Sequence, residues 1–195
     1  MGDHTRIFAQ ALSQVRRDHL ERYVFAGTRT KGRVLDAACG CGYGGHVLKT
    51  AGCEVVGIDI EPDAIEYAKK YWPGAEYFEF DLNRDSLLDE FDCVVSFETL
   101  EHLSNPEHAL KQFAKVSKNL ICSVPNELQM PFSSMRIKDD KYPHRRHYTP
   151  NELDELLKSC GWSVKERHCQ TSKTAPVTDG TNGIFLVYVC DAAKD

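Results

Sequence analysis

The residues best suited to chemistry in this 195-residue chain fall into three groups. The first is Glu98-Thr99-Leu100-Glu101-His102, with two carboxylates and an imidazole at i, i+3 and i+4. On a helix those spacings share one face. The group could then take a proton from a substrate, or hold a divalent cation such as Mg²⁺ or Mn²⁺. The second is Pro143-His144-Arg145-Arg146-His147-Tyr148-Thr149-Pro150; with Lys138 and Lys141 upstream it places cations in a chain of net charge −5. Those cations suit an anionic substrate such as a carboxylate, a phosphate or a sugar nucleotide, and a solvated charge run accounts for them equally well. The third is the glycine-rich run from Asp36 to Gly45, followed by Asp59 and Asp81.

Gly40, Gly42 and Gly45 alone satisfy a dinucleotide fingerprint, and Asp59 lies about 20 residues on, where a ribose-binding acid belongs. Asp36 argues against that reading, because a carboxylate at the head of the loop repels a pyrophosphate and welcomes a cationic ligand group. Asp59 could accept from two ribose hydroxyls, and Asp81 from an adenine amino group. Each acid taken singly also fits a helix cap or a turn. Together, at the ends of three successive strands, they define one ligand-binding edge.

The elements that must position these groups alternate along the chain. Residues 3–26, in an amino-terminal segment (1–30), carry apolar side chains at near-helical spacing. Short apolar runs at 33–36, 54–59, 76–80, 91–97 and 119–124 read as strands, and helices are expected over 44–51, 62–71 and 106–116. Continuous apolar strands between amphipathic helices predict a parallel sheet covered on both faces. Residues 125–149 are irregular and are expected to form an acceptor lid. Thr149-Pro150-Asn151-Glu152 then opens a helix ending near Gly161, and 162–169 with 184–190 are expected as an antiparallel edge hairpin.

Composition narrows the classes further. The 42% hydrophobic content suits a soluble core, and a single domain over 1–195 is expected. No apolar run approaches the roughly 20 residues of a membrane span, and the first residues lack an apolar signal core, so a cytoplasmic location is expected. The eight cysteines lie mostly in apolar runs and are expected to be reduced and buried. The acidic balance makes nucleic acid an unexpected partner.

Four stretches carry a family resemblance: Arg22-Tyr23-Val24-Phe25-Ala26, Val34-Leu35-Asp36-Ala37-Ala38-Cys39-Gly40-Cys41-Gly42-Tyr43-Gly44, Val56-Gly57-Ile58-Asp59-Ile60 and Val95-Ser96-Phe97-Glu98-Thr99-Leu100-Glu101-His102-Leu103. They resemble class I S-adenosylmethionine-dependent methyltransferases of the bacterial and phage type. The resemblance implies a Rossmann-like α/β fold with a seven-stranded, mostly parallel sheet, helices on both faces and an antiparallel last strand. It implies S-adenosylmethionine as cofactor, bound by Tyr23, Asp36, Ala38, Gly40, Gly42, Asp59, Ile60, Asp81, Leu82 and Glu98. Cys41 stands where many relatives carry an acidic or small polar residue.

The chemistry expected is methylation of an oxygen or nitrogen on a small, anionic acceptor, with His102, Glu98, His144 and His147 as catalytic candidates. No metal ligand is expected. The Glu-x-x-Glu-His pattern is nonetheless similar to a cation site in ubiquinone-pathway and small-RNA methyltransferases, which keeps a metal-assisted RNA or nucleotide methyltransferase as an alternative. A cofactor-binding protein without turnover, or a dehydrogenase, are the others.

Overall fold

The computed structural model describes residues 8–134 and 143–193. A 3₁₀ turn (Leu12–Gln14) leads into α1 (Arg17–Gly27), after which strands and helices alternate as β1 (Arg33–Ala37), α2 (Tyr43–Thr50), β2 (Glu54–Asp59), α3 (Pro62–Tyr71), β3 (Glu76–Glu79), β4 (Cys93–Phe97), α4 (Pro106–Val116) and β5 (Asn119–Pro125). The carboxy-terminal part adds α5 (Pro150–Ser159), β6 (Trp162–Gln170), β7 (Thr178–Asp179) and β8 (Phe185–Ala192). The helix expected over 3–26 therefore starts only at Arg17; positions 3–7 lie outside the described residues.

The strands form one sheet in the order β3-β2-β1-β4-β5-β8-β6-β7. The first five are mutually parallel, and β8 runs antiparallel to both β5 and β6. Successive residues feed opposite faces, as strand periodicity requires. Val34, Val55, Val95, Ile121 and Val187 join α1 and α2 on one side; Leu35, Val56, Val94, Leu120 and Leu186 join α4 and α5 on the other. Both faces are buried, so these strands read as unbroken apolar runs.

Two sequence expectations are corrected here. The sheet has eight strands rather than seven, because the Thr/Ser/Gly-rich connection contributes the two-residue β7. The expected antiparallel pair of 162–169 and 184–190 forms as β6 and β8, but β7 rather than that pair is outermost, and β8 inserts between β5 and β6. No helix among the described residues is long and apolar enough to cross a membrane.

Local sequence sets the helix starts around the site. Gly42 caps α2 at φ 89°, a left-handed conformation open to glycine, and a Cβ there would collide with Ala68 of α3. In the Thr149/Glu152 capping box before α5, the Thr149 hydroxyl accepts from the Glu152 N–H while the Glu152 carboxylate accepts from the Thr149 N–H. That cap fixes where residues 143–149 join the body of the fold.

Candidate active site

A cavity of about 260 Å³ opens at the carboxy-terminal ends of the parallel strands. Eight residues expected to bind a cofactor line it: Tyr23, Ala38, Gly40, Asp59, Ile60, Asp81, Leu82 and Glu98. Asp36 and Gly42 do not reach the wall.

The end formed by β1, β2 and β3 is held by backbone donors. Asp59 accepts the Gly40 N–H on Oδ2 and the Glu61 N–H on Oδ1, both at 2.9 Å, so the glycine loop is tied to the end of β2. A carboxylate in this position is a group that can accept from ligand hydroxyls. Asp81 accepts from the Asn83 N–H at 2.9 Å and caps the turn after β3 while lining the cavity. A Cβ added to Gly40 would meet nothing within 4 Å, so the loop backbone faces open space wide enough for close ligand approach. A nucleoside with an amino-acid tail fits this wall of glycine backbone and acids.

Asp36 lies behind that wall. Its Oδ1 accepts the Tyr23 hydroxyl at 2.9 Å, its Oδ2 has no hydrogen-bond partner, and burial pushes the carboxyl up to about 7. Tyr23 thus stands between the acid and the cavity. The cationic ligand group anticipated for Asp36 would be met through Tyr23.

The Glu98–His102 group, the first named in the sequence, is not helical. Glu98 sits at φ 51°, a conformation uncommon for residues other than glycine, and 98–103 is a series of turns. Glu98 and His102 consequently line the cavity while Glu101 turns into the interior, fully buried, with no partner for either carboxylate oxygen. Burial raises Glu101 well above the usual carboxylate range, and nearby Glu98 raises it further. Glu98 is itself raised by burial, offset by the charge of Arg22; its Oε1 accepts from the Ser123 hydroxyl at 2.9 Å.

The lid segment is strapped to these turns. The Arg145 N–H donates to Glu101 O at 2.7 Å, and the Tyr148 hydroxyl donates to Leu100 O at 3.3 Å. This brings the His144 ring edge-on to His102, with centroids 4.4 Å apart. One ligand atom from each of Glu101, His102 and His144 falls within 4.8 Å of the others, a grouping that joins the two sequence motifs with a different membership from the one their spacing suggested.

His147 is buried behind His144 and does not line the cavity. Its Nδ1 lies 2.6 Å from Met130 O, and a carbonyl only accepts, so Nδ1 carries the proton. Burial lowers the pKa of this ring, more than the Met130 carbonyl and Glu127 raise it, and the neutral ring leaves Nε2 as an acceptor. His144 Nδ1, 2.9 Å away, must then donate. A neutral His144 therefore presents an unprotonated Nε2.

The lid cations do not serve the cavity as expected. Arg146 pairs with Glu152 at 2.9 Å and covers the Tyr148 ring, and the Arg145 side chain donates to His102 O at 3.2 Å. Lys138 and Lys141 lie outside the described residues. Instead Arg16, His19, Arg22 and Lys173 line the far end with Phe185, none of which sequence reasoning had placed there. Arg22 directly precedes Tyr23 in the quoted motif, and that adjacency was the available signal.

Comparisons with known proteins agree with this architecture. The family described as "Methyltransferase domain" matches residues 8–167. The chain belongs to the class I S-adenosylmethionine-dependent methyltransferases. It is 29% identical over 133 residues to a protein of Mycobacterium tuberculosis named a probable S-adenosylmethionine-dependent methyltransferase, covering 66% of this chain and 48% of that one. It is 27% identical over 153 residues to the ubiquinone biosynthesis O-methyltransferase of Cereibacter sphaeroides, covering 69% and 62%. The match thus spans about half to three-fifths of these relatives. A solved methyltransferase from Thermotoga maritima shares the fold with a TM-score of 0.73 at 21% identity, over 92% of this chain and 91% of that one. Within the methyltransferase family, the fit of glycine loop, Asp59 and Asp81 to a nucleoside supports a cofactor pocket at this end of the cavity.

Proposed function

We propose that this methyltransferase binds S-adenosylmethionine along the β1–β3 edge and methylates an oxygen or nitrogen of a small acceptor held against Glu98, His102 and His144. The observation that carries the reading is the continuity of one cavity from the Gly40/Asp59/Asp81 wall to those three side chains. The cofactor supplies a methyl carbon on a sulfonium; the acceptor lone pair forms the new bond as the carbon–sulfur pair returns to sulfur. The protein's work is alignment and removal of the acceptor's proton. His144, whose neutral ring carries its proton on Nδ1 toward His147 and offers Nε2 as an acceptor, suits the second task. The net charge of −5 supports a small molecule over a nucleic acid, and eight free, buried cysteines go with a cytoplasmic location.

Titration with S-adenosylhomocysteine tests the cofactor half. Binding to the parent is expected, and Asp59→Ala, which removes the ribose acceptor and releases the glycine loop, should weaken it about 100-fold or more. Equal binding by both, or binding of NAD in place of S-adenosylhomocysteine, removes the reading. Transfer of labelled methyl to sugar nucleotides, small acids, quinone precursors and short RNAs then identifies the acceptor.

A second reading is favoured by Glu101, whose buried, unpartnered carboxylate beside His102 and His144 would be compensated by a divalent cation. Oxygen and imidazole ligands suit Mg²⁺ or Mn²⁺. Methyl transfer abolished by EDTA and restored by Mn²⁺ selects the metal-assisted reaction; full activity in chelator eliminates it.

A further inference from the structure

Two loops for which the proposed reaction gives no role meet at Asn126, directly after β5. The side chain is fully buried and its amide is paired throughout: Nδ2 donates to Thr181 O at 3.0 Å and to Gly183 O at 2.8 Å, and Oδ1 accepts the Leu128 N–H at 3.1 Å. Both amide hydrogens are thus committed to the loop between β7 and β8, and the oxygen closes an Asx turn in its own segment. The Asn126 carbonyl takes the next two donors, the Gln129 N–H at 3.1 Å and the Met130 N–H at 2.8 Å. One residue therefore winds 126–130 into a tight turn and pins that turn to the loop that feeds Phe185 into the cavity wall.

The turn matters for where it leaves Met130. Met130 lines the cavity, and its carbonyl lies 2.6 Å from His147 Nδ1. That carbonyl decides the tautomer of His147, and His147 Nε2, 2.9 Å from His144 Nδ1, decides that of His144. A carbonyl displaced by about 1 Å no longer makes such a bond. Backbone pairs hold only the start of the turn: Asn126 N–H donates to Ile184 O, Glu127 N–H to Tyr148 O and Tyr148 N–H to Pro125 O. The placement of 128–130 falls to Asn126 itself.

We propose that Asn126 is a positioning residue for methyl transfer: through Met130 O and His147 it holds His144 in the tautomer whose Nε2 takes the proton of the methyl acceptor. The inference rests on the reading of His144 as the base. It gives the segment after β5 and the β7–β8 loop a part in the chemistry without contact with the reacting atoms. A simple loop staple would change stability and leave both rings as they are.

Imidazole nitrogen shifts of the full chain, with S-adenosylhomocysteine bound, and transfer kinetics separate the two for Asn126→Ala and Asn126→Ser. The Asn126 and Glu127 N–H bonds survive in both variants. Asn126→Ala should turn the single tautomers of His144 and His147 into mixtures and cut kcat about tenfold or more, with acceptor KM within about twofold. Serine can still accept the Leu128 N–H but loses the tie to both carbonyls, so Asn126→Ser should show a smaller admixture and a smaller loss of kcat. A folded Asn126→Ala with the parent's tautomers overturns the proposal, whatever its stability. Should that variant not fold, the parent's tautomers in Asn126→Ser overturn it. Mixed tautomers at the parent's kcat overturn it as well, provided His144→Gln has lost transfer. A His144→Gln that keeps the parent's rate defeats the base reading instead.

Discussion

The two ends of the cavity meet their polar requirements in opposite ways. At the β1–β3 end, Asp59 and Asp81 are anchored by backbone N–H groups of their own loops. Around the other end, both oxygens of Glu101 and Nε and Nη2 of Arg22 are buried without partners, and among the described residues only Asp36 Oδ2, behind the β1–β3 wall, shares that state at the first end. Backbone-anchored acids are set before any ligand arrives. Unpartnered buried groups cost stability, and such costs are retained where a ligand, a proton or a charge is to be received. The contrast sets acids anchored in advance at the first end against buried groups left unsatisfied at the second.

The largest effect is expected for Asp36→Asn, which removes the exception at the first end. The folded carboxyl holds its proton up to about pH 7, whereas the unfolded one releases it near 3.8. The parent therefore loses stability as pH rises from about 4 to 7 and recovers none above. For a fully buried group this amounts to roughly 3–4 kcal/mol. Urea unfolding of the asparagine variant from pH 4 to 8 should lack that fall; an unchanged slope would mean that Asp36 is ionised in the fold.

Glu101→Leu should follow, with a gain of about 1–3 kcal/mol on unfolding, because an apolar side chain replaces two unsatisfied oxygens. A loss of stability would show that Glu101 has a partner in solution. The histidine pair gives a smaller, sharper effect. His147→Phe removes the acceptor that fixes the His144 tautomer and should cut methyl transfer about tenfold with S-adenosylhomocysteine binding within about twofold, whereas His147→Gln retains most activity. Imidazole nitrogen shifts should report one His144 tautomer in the parent and a mixture in His147→Phe. The smallest effect belongs to Arg146→Ala. It pairs with the exposed Glu152 and covers the buried Tyr148 ring without lining the cavity, so transfer should change by less than about twofold.

The β1–β3 end was legible in the sequence because its parts are local. A strand, a glycine loop and an acid at each strand end recur at short spacing, so Gly40, Asp59 and Asp81 could be placed together before any geometry. Asp36 was read as a wall residue because sequence does not show that the Tyr23 ring covers it. Glu98 through His102 were read on one helical face, and the left-handed backbone at Glu98 sends Glu101 inward instead. The Arg22 cluster was missed because its partner Gln170 is 148 positions away, and only the packing of α1 against β6 and β8 joins them. The two-residue β7 carries no periodicity to detect.

The position of β8 has a consequence for the order in which the molecule is completed. A ribosome delivers β1 through β5 long before residues 185–192, yet β8 is the strand that joins β5 to β6 and carries Phe185 to the Arg22 end of the cavity. Until it emerges, β5 has an open, apolar edge that invites pairing with another chain. The nascent protein must pass through a stage in which the β1–β3 wall can form and the Phe185 side of the cavity cannot. Chaperone demand and aggregation should therefore peak while β5 awaits β8, and a chain stalled before β8 would leave that edge exposed.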